Sequence, residues 1–506
     1  MINIIPKPYQ LTDYDKSIIV SGFNYECPIE LESGLEVLKE EFNNSGITVM
    51  VSKKYFHNDD AYSLEVTEDK VFIEAKNARG VFYATRSLKQ LINIVDGKLQ
   101  LQMCKIFDKP KMMYRSFSFD ESRHFFGLEE TKKIIDILGL LKVKYLHWHL
   151  SDDQGFRVNF KKFPRLYEVG SKRNRTLLTK IDGDLFEEKV YQYAYTEEEV
   201  LEIIEYAKKR FINITPEFDV PGHTASFVAS YPYLHCLGKE TPVFERFFGN
   251  ADIMCPSKET TYEFLTEFFE EVMRLFKDSE YIHLGGDEVL TTVWEECEDC
   301  KNKMKELGTL RPLDLQAYFN QRFIDILKPY NKKMIMWGEG VKDTTDSKVI
   351  LQYWTWQMID EIIQRINDGR NSIYSPCSQL YFDAAYVELP LKTTYGRGIV
   401  LKNLTTKGRG KIFGMECCVW TEFIRTNDFL EFMIFPRIHA FSESAWTHKK
   451  DYDYDSFKER LAYHYAILDS MGMKYAKPHV FDESDPGEEI SKIFRNENRF
   501  VEYDKN

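Results

Sequence analysis

The stretch YRSFSFDESRHFFGLEETKKIIDILGLLKVKYLHWHL occupies residues 114–150 and has the pattern strand, helix, strand. Short apolar runs at 114–119 and 144–150 predict two buried strands. The apolar spacing between them predicts an amphipathic helix over 129–142. Strands that alternate with helices along a chain are typical of a parallel sheet with helices packed outside it.

The same alternation extends outward from this stretch to about residue 420. Thr196 followed by Glu199 has the spacing of a capping box, which marks the start of one helix. Eight strands separated by helices or long loops predict an α/β fold, a (β/α)8 TIM barrel over residues 111–470. Further strands are predicted at 211–218, 281–286, 333–339, 349–354, 372–376 and 411–420, and helices at 196–210, 259–277 and about 455–471.

The residues before the barrel differ from it in character, since all seven tryptophans lie after residue 147. YSLEVTEDKVFIEA at 62–75 predicts two strands around a Glu-Asp turn, and the apolar spacing over 78–95 predicts a helix. We therefore predict a small α+β domain at 1–110. After the barrel, we predict a polar C-terminal tail at 471–506.

Composition narrows the classes of partner. The 506 residues carry a net charge of −13, which argues against nucleic acid or an anionic membrane surface as the main partner. The N-terminus lacks a basic segment followed by an apolar one, and no apolar run is long enough to span a bilayer. Nine scattered cysteines do not suggest a disulfide framework. These features predict a cytoplasmic protein, or a secreted or periplasmic one if a signal has been trimmed.

Carboxylates and tryptophans follow the predicted strands in order. TIM barrels place their chemistry at the carboxyl ends of the strands. Carboxylates after four successive strands, followed by tryptophans at three later strand ends, are typical of a sugar site, where aromatic faces stack on the pyranose ring. These residues are Asp120, Asp152, Asp153, Glu217, Asp219, His223, Asp287, Glu288, Trp337, Trp354 and Trp420.

HLGGDEV at 283–289 is the most specific of these strand ends. Neighbouring side chains of a strand point to opposite faces, so Asp287 and Glu288 can share one pocket only where the backbone leaves strand geometry. Gly285 and Gly286 permit that departure. The plain alternative is a Gly-Gly turn that carries two solvated acids. GGDEV also resembles the GGDEF signature of diguanylate cyclases, which the surrounding barrel pattern disfavours.

Two further motifs have metal-binding spacing. His147 and His149 form H-x-H at the end of the second strand, a pattern that fits either metal ligands or a packed barrel interior. We favour the structural interpretation, because the metal interpretation needs further ligands at later strand ends. Cys297 and Cys300 form a single C-x-x-C, and we interpret them as loop thiols without an assigned function.

Seven ordered motifs resemble one family. YRSFSFDESRHFF, HWHLSDDQGFR, PEFDVPGH, HLGGDEV, MIMWGE, LYFD and VWTEF occur in the order found in the β-N-acetylhexosaminidases of glycoside hydrolase family 20. This resemblance covers about 110–450, and IIPKP and IEAKNARGVFYATRSLKQL resemble the N-terminal domain of that family. The resemblance implies exo-acting, retaining hydrolysis of terminal β-linked GlcNAc or GalNAc without a metal or cofactor.

The resemblance also implies residue roles. Glu288 would be the general acid/base, and Asp287 would orient the substrate acetamide, whose own oxygen attacks C1. Asp152 and His223 would support Glu288. The YWTW segment leaves Trp354 and Trp356 as alternatives for one wall position. The implied substrate contacts are Tyr381 to the acetamide oxygen, Trp337, Trp354 and Trp420 around the acetamide and ring, and Arg115, Asp383 and Glu422 at the sugar hydroxyls.

Three other functions remain as alternatives. A lacto-N-biosidase, which releases a disaccharide, would need a wider pocket than the motifs reveal. A sugar-binding protein on an inactive barrel would have a broken acid pair, whereas both acids are present here. A metal-dependent amidohydrolase would use His147 and His149 as ligands.

Overall fold

The computed structural model describes residues 2–178, 185–247, 250–396 and 398–481. They form a closed barrel of eight parallel strands preceded by a mixed sheet, which confirms the predicted fold class. None of the helices in these ranges has the length and apolar character needed to cross a bilayer. The barrel strands, first to eighth, are Tyr114–Asp120, Tyr145–His149, Asn213–Glu217, Tyr281–His283, Lys333–Trp337, Ile350–Tyr353, Ser372–Tyr374 and Ile412–Val419.

The N-terminal domain is a seven-stranded sheet with one long helix, Ala78–Gln90, packed on it. The predicted strand pair is present, since Tyr62–Val66 and Lys70–Ala75 are antiparallel neighbours. In spatial order the strands are Gln10–Val20, Lys98–Asp108, Tyr62–Val66, Lys70–Ala75, Ile47–Lys53 and Phe23–Glu26, and Ile92–Val95 also pairs with Lys98–Asp108.

The helix predicted over 78–95 is too long. In the structure the helix ends at Gln90, and Ile92–Val95 forms a strand. Asp96 and Gly97 both have positive φ, which is the geometry of a tight hairpin turn. The β-branched Ile92, Ile94 and Val95 suit the strand that enters this turn.

Helices surround the barrel as predicted. Glu197–Lys209 begins with the predicted capping box, in which the Thr196 side chain and Glu199 bond each other's backbone. Tyr454–Ser470 is the predicted final long helix. The other α-helices of six or more residues among the described ranges are Glu36–Glu41, Leu128–Leu140, Ala225–Ser230, Glu259–Leu275, Glu298–Leu307, Asp314–Leu327, Ile359–Asp368, Asn427–Ile434 and Arg437–Trp446.

Shorter elements occupy the connecting loops. The short helical segments are Ile29–Leu35, Leu166–Gly170, Pro232–Leu234, Thr292–Glu296, Lys328–Tyr330, Cys377–Leu380, Leu391–Thr394, Thr406–Arg409, Lys449–Asp451 and Pro478–Phe481. The two-residue strands are Ser151–Asp152, Gly155–Phe156, Val158–Asn159, Lys172–Arg173, Thr176–Leu177, Phe186–Glu187, Tyr191–Gln192 and Tyr195–Thr196.

The predicted tail is not wholly separate from the barrel. Ala476, Val480 and Phe481 are buried in the same apolar core as the barrel helices. The remainder of that predicted tail, 482–506, lies outside the described residues.

The N-terminal domain contacts the barrel through buried ion pairs at the amino ends of the strands. Arg115 Nη2 lies 3.2 Å from Asp60 Oδ2, and Lys142 Nζ lies 2.9 Å from Asp108 Oδ2. All four side chains are at most 1% exposed. Because an unpaired buried charge is costly, these pairs hold the two domains together at this end of the barrel.

The barrel interior changes from apolar to polar along its axis. Tyr114, Tyr145 and Tyr281 pack ring against ring near the amino ends of the strands. Two residues further along the second and fourth strands, His147 and His283 occupy the next interior positions. This spacing is expected because alternate residues of a strand face the same side. The carboxyl ends of the strands therefore rest on a polar interior.

Candidate active site

Glu217 is the centre of the polar interior. It accepts hydrogen bonds from Nδ1 of His149 and lies 2.6 Å from Nδ1 of His283 and 3.1 Å from Nε2 of His147. His147 Nδ1 also lies 2.9 Å from Glu416. Burial alone would lower the pKa of His147, but Glu416 and Glu217 outweigh it and raise that pKa to about 9. Carboxylates are therefore the partners of the ring nitrogens in the H-x-H motif, and this supports the structural interpretation of that motif.

The backbone after the fourth strand turns sharply. The strand ends at His283, and Gly285, Gly286 and Glu288 have φ of 66°, 93° and 45°. A Cβ added at Gly285 would lie 1.7 Å from Oδ1 of Asp219, which itself accepts a hydrogen bond from the Gly286 N–H at 2.9 Å. Glycine at 285 is therefore needed both for the left-handed conformation and for space. The turn brings Asp287 and Glu288 to the same cavity, as predicted.

The two acids of this turn have different surroundings. The side chain of Asp287 is 14% exposed, whereas that of Glu288 is 55% exposed. Burial raises the pKa of Asp287 well above its usual range, and the nearby Asp219 adds to that increase. A carboxyl oxygen of Asp287 lies within 4.8 Å of one of Asp219. This buried pair therefore holds a proton more tightly than an isolated carboxylate.

His223 faces both acids from the loop after the third strand. Its Nε2 lies 3.7 Å from Oε2 of Glu288 and 3.9 Å from Oδ2 of Asp287. Its Nδ1 lies 3.2 Å from Oδ1 of Asp152. Burial alone would lower the pKa of His223, but Asp152 and Asp153 outweigh it and raise that pKa well above its usual range. The predicted Asp152–His223 pair is thus present and places a cation beside the two acids.

Arg123 supplies the cation on another side of the cavity. Its guanidinium lies 2.7 Å from Asp152 Oδ2 and 3.2 Å from Asp120 Oδ2, and it stacks on the ring of Trp420 at 5.2 Å. It also donates to Gln154 at 2.9 Å. These contacts fix the guanidinium against the cavity that it lines.

The prediction that Arg115 contacts sugar hydroxyls is corrected by this geometry. Arg115 is the second residue of the first strand, at the amino end of the barrel, and is 1% exposed. Its guanidinium donates to the Met112 and Lys142 carbonyl oxygens and pairs with Asp60. The cavity lies at the carboxyl end, where Arg123 is the arginine that faces it.

Aromatic rings form one wall of the cavity. Trp354 and Tyr381 are nearly parallel, with an interplanar angle of 10° and centroids 6.0 Å apart, and Trp420 lies 6.1 Å from Tyr381. Of the two tryptophans in YWTW, Trp354 is the one that lines the cavity. Its indole N–H donates to Glu339 at 2.7 Å. Trp356 is 73% exposed and does not line the cavity.

Trp337 lies behind this wall rather than in it. It is 1% exposed, its ring contacts those of Trp354 and Trp420, and its indole N–H donates to Glu217 at 3.0 Å. Trp337 therefore packs beneath the rings that face the cavity, and its predicted contact with the acetamide and ring stays a prediction.

The cavity has a volume of about 190 Å³. Nine of its twelve lining residues were given a catalytic, supporting or substrate-binding role from the sequence, whereas Arg123, His149 and Asp219 were given none of these roles. Each of these three lies at or just after the end of a strand and within one of the quoted motifs. That position was the sequence signal that could have identified them as cavity residues. The lining residues are Arg123, His149, Asp152, Asp219, His223, Asp287, Glu288, Trp354, Tyr381, Asp383, Trp420 and Glu422.

Comparisons with known proteins agree with this geometry. The family model for the catalytic domain of glycosyl hydrolase family 20 matches residues 112–449, and the model for domain 2 of that family matches residues 26–109. A beta-hexosaminidase of Porphyromonas gingivalis is 30% identical over 94% of the chain, and one of Vibrio furnissii is 30% identical over 76%. The chain spans 64% and 65% of the lengths of these two relatives.

Solved structures give the same result. The GH20 exo beta-N-acetylglucosaminidase of Vibrio harveyi, in complex with N-acetylglucosamine, has a TM-score of 0.84 and 28% identity, covering 94% of this chain and 78% of that one. The GH20 beta-N-acetylhexosaminidase of Streptomyces coelicolor has a TM-score of 0.81 and 25% identity, covering 95% and 98% of the two chains.

Proposed function

The chain belongs to glycosyl hydrolase family 20, and from that premise we propose that it is an exo-acting, retaining β-N-acetylhexosaminidase. Its substrates would be glycans or glycoconjugates with terminal, non-reducing β-linked GlcNAc or GalNAc. One observation carries the proposal: Asp287 and Glu288 share one cavity but differ in exposure, 14% against 55%. Two acids with such different surroundings suit two different tasks.

Glu288 is suited to be the general acid/base. Its exposed carboxyl group stands where a leaving group can depart to solvent. In the first step it gives its proton to the glycosidic oxygen as the C1–O bond breaks. In the second step the same carboxylate takes a proton from water as the water oxygen bonds to C1 and the bond between C1 and the acetamide oxygen breaks.

Asp287 is suited to serve the substrate acetamide. In the first step the acetamide oxygen bonds to C1 and forms an oxazolinium ion, so no enzyme carboxylate attacks the sugar. A buried carboxylate that accepts the acetamide N–H stabilises the positive charge that develops there. Binding of that cationic group would favour the charged form of Asp287, against the burial and the Asp219 charge that disfavour it in the free protein.

The remaining lining residues are suited to bind the sugar. Trp354 and Trp420 present ring faces to the pyranose, and the Tyr381 hydroxyl would hydrogen-bond the acetamide oxygen. Arg123, Asp383 and Glu422 would contact the sugar hydroxyls. At about 190 Å³ the cavity is below the ~300–1,000 Å³ of pockets for larger ligands, which favours removal of one sugar over two.

Release of an aryl aglycone tests this proposal. We expect the wild type to cleave aryl β-GlcNAc and Glu288→Gln to be slower by ~10²–10⁴-fold. Proton NMR should show the β-anomer of the product first. An aryl β-glucoside, which lacks the acetamide, should be cleaved very poorly by the wild type. Equal rates for wild type and Glu288→Gln, an initial α-anomer, or rapid cleavage of the glucoside would each contradict the proposed mechanism.

A further inference from the structure

Four cysteine side chains converge beside the cavity, in the loops that follow the third and fourth barrel strands. Cys236, Cys255, Cys297 and Cys300 are at most 6% exposed, and their sulfur atoms all lie within 4.8 Å of one another. The sulfur atoms of Cys255 and Cys300 are 3.7 Å apart, those of Cys236 and Cys300 3.8 Å, and those of Cys255 and Cys297 4.0 Å. We call these four residues the cysteine cluster.

We propose that the cysteine cluster is a structural zinc site with four thiolate ligands. A tetrahedral zinc ion with Zn–S bonds of ~2.3 Å holds its sulfur atoms ~3.8 Å apart, which is the spacing in this cluster. A disulfide needs an S–S distance of ~2.05 Å, and it would join the sulfurs in pairs rather than bring all four together. The arrangement therefore fits a shared central ion better than two disulfides.

The surroundings of the cluster are those of a closed site. Ile253, Trp294 and Leu315 pack around the sulfurs in a small apolar core that is separate from the core of the barrel. The Trp294 indole N–H donates to the Met254 carbonyl oxygen at 3.1 Å and holds one cysteine loop against the other. Structural zinc sites are likewise enclosed and filled by four protein ligands.

The position of the cluster indicates what the ion would do. Cys236 and Cys255 lie in the long connection that begins with the His223 loop, between the third strand and the helix Glu259–Leu275. Cys297 lies nine positions after Glu288, in the connection that follows the fourth strand. A zinc ion bound by all four would cross-link these two loops, and its binding free energy would stabilise the folded protein.

The proposal departs from the interpretation of Cys297 and Cys300 as loop thiols. A lone C-x-x-C is a weak signal, and the second pair is not a C-x-x-C. Cys236 and Cys255 are separated by eighteen residues of sequence, so only the folded chain shows that they meet the first pair.

Metal content tests the proposal directly. The full chain should be produced in zinc-supplemented medium, purified without a metal-affinity step, and analysed by plasma mass spectrometry. We expect about one zinc ion per chain in the wild type and less than about a tenth of that in a Cys297→Ser/Cys300→Ser double variant. Cys104→Ser, which alters a buried cysteine of the N-terminal sheet, is the matched control and should keep its zinc.

A second measurement on the wild type keeps the test independent of whether the double variant folds. Exchange of the metal for Co(II) should give the thiolate charge-transfer and visible bands of a tetrahedral Co(II)–sulfur site, and chelation should lower the unfolding temperature. Wild-type protein that contains no zinc and gives no such cobalt spectrum would overturn the proposal. So would non-reducing peptide mapping that finds a disulfide within the cluster.

Discussion

Oδ1 of Asp152 lies 3.2 Å from Nδ1 of His223, and this contact joins the carboxyl ends of the second and third barrel strands. Burial alone would raise the pKa of Asp152, but Arg123 and His223 outweigh it and hold that pKa well below its usual range. The anion in turn keeps His223 protonated. The consequence is a fixed cation 3.7 Å from the Glu288 carboxylate.

Removal of the Asp152 charge should therefore shift the pH profile. The pKa of His223 is raised by Asp152, so Asp152→Asn lowers it, and His223 then loses its proton at a lower pH as pH rises. We expect the alkaline limb of kcat/KM for aryl β-GlcNAc to move down by about 1–3 pH units. Glu198→Gln, at an exposed carboxylate, should leave the profile unchanged. An unmoved alkaline limb in Asp152→Asn would show that the charge of His223 does not control the reaction.

Asp219 should control the acidic limb, and removal of its charge should also shift that limb to lower pH. The negative charge of Asp219 helps to raise the pKa of Asp287, which must be ionised to stabilise a cationic acetamide. Asp219→Asn removes that charge, while the amide oxygen can still accept the hydrogen bond from the Gly286 N–H. The pKa of Asp287 should fall, and activity gained as pH rises should appear at lower pH. Profiles of kcat/KM against pH for Asp219→Asn and for the control Asp343→Asn, at an exposed carboxylate, measure this shift of the acidic limb. An acidic limb that moves equally in both variants, or in neither, argues against this coupling.

Gly285 should tolerate no side chain. Gly285→Ala combines the cost of a left-handed residue, ~1–2 kcal/mol, with a Cβ that would lie 1.7 Å from Asp219. Displacement of the acid turn by about 1 Å is enough to lower kcat by ~10²-fold. Gly97→Ala is the matched control, since Gly97 has a similar φ of 73° and an added Cβ there meets no atom within 4 Å. Chemical denaturation and kcat should show a modest stability loss in the control, and a larger one with lost activity in Gly285→Ala. Wild-type kcat in Gly285→Ala would contradict this account of the turn.

The barrel was predictable because its buried parallel strands are short apolar runs, and because polar residues begin where those strands end. The same logic located Asp287, Glu288, Asp152 and His223, since each lies within six residues of the end of a barrel strand. The pattern could not define the lengths of the short strands. Glycine conformations, for example, end the fourth strand at His283.

The two arginines of the first motif have different surroundings in the structure. Arg115 and Arg123 stand at opposite ends of the first strand, and only the carboxyl end faces the chemistry of a TIM barrel. That rule, applied strictly, favours Arg123. The buried partner of Arg115, by contrast, comes from the N-terminal domain, and no motif spacing predicts a contact between Asp60 and Arg115.

Matched lysine substitutions should separate the two arginines. Arg115→Lys keeps the charge near Asp60 but loses donors to the Met112 and Lys142 carbonyl oxygens, so we expect about 1–2 kcal/mol less stability with KM and kcat unchanged. Arg123→Lys loses the planar fork that spans Asp120 and Asp152, and its loss of charged hydrogen bonds should lower kcat/KM ~10–100-fold. Denaturant unfolding and steady-state kinetics on both variants provide the comparison. A raised KM with unchanged stability in Arg115→Lys would instead indicate that Arg115 binds substrate. The structure argues against that outcome, because the guanidinium of Arg115 is buried and already bonded at the end of the barrel remote from the cavity.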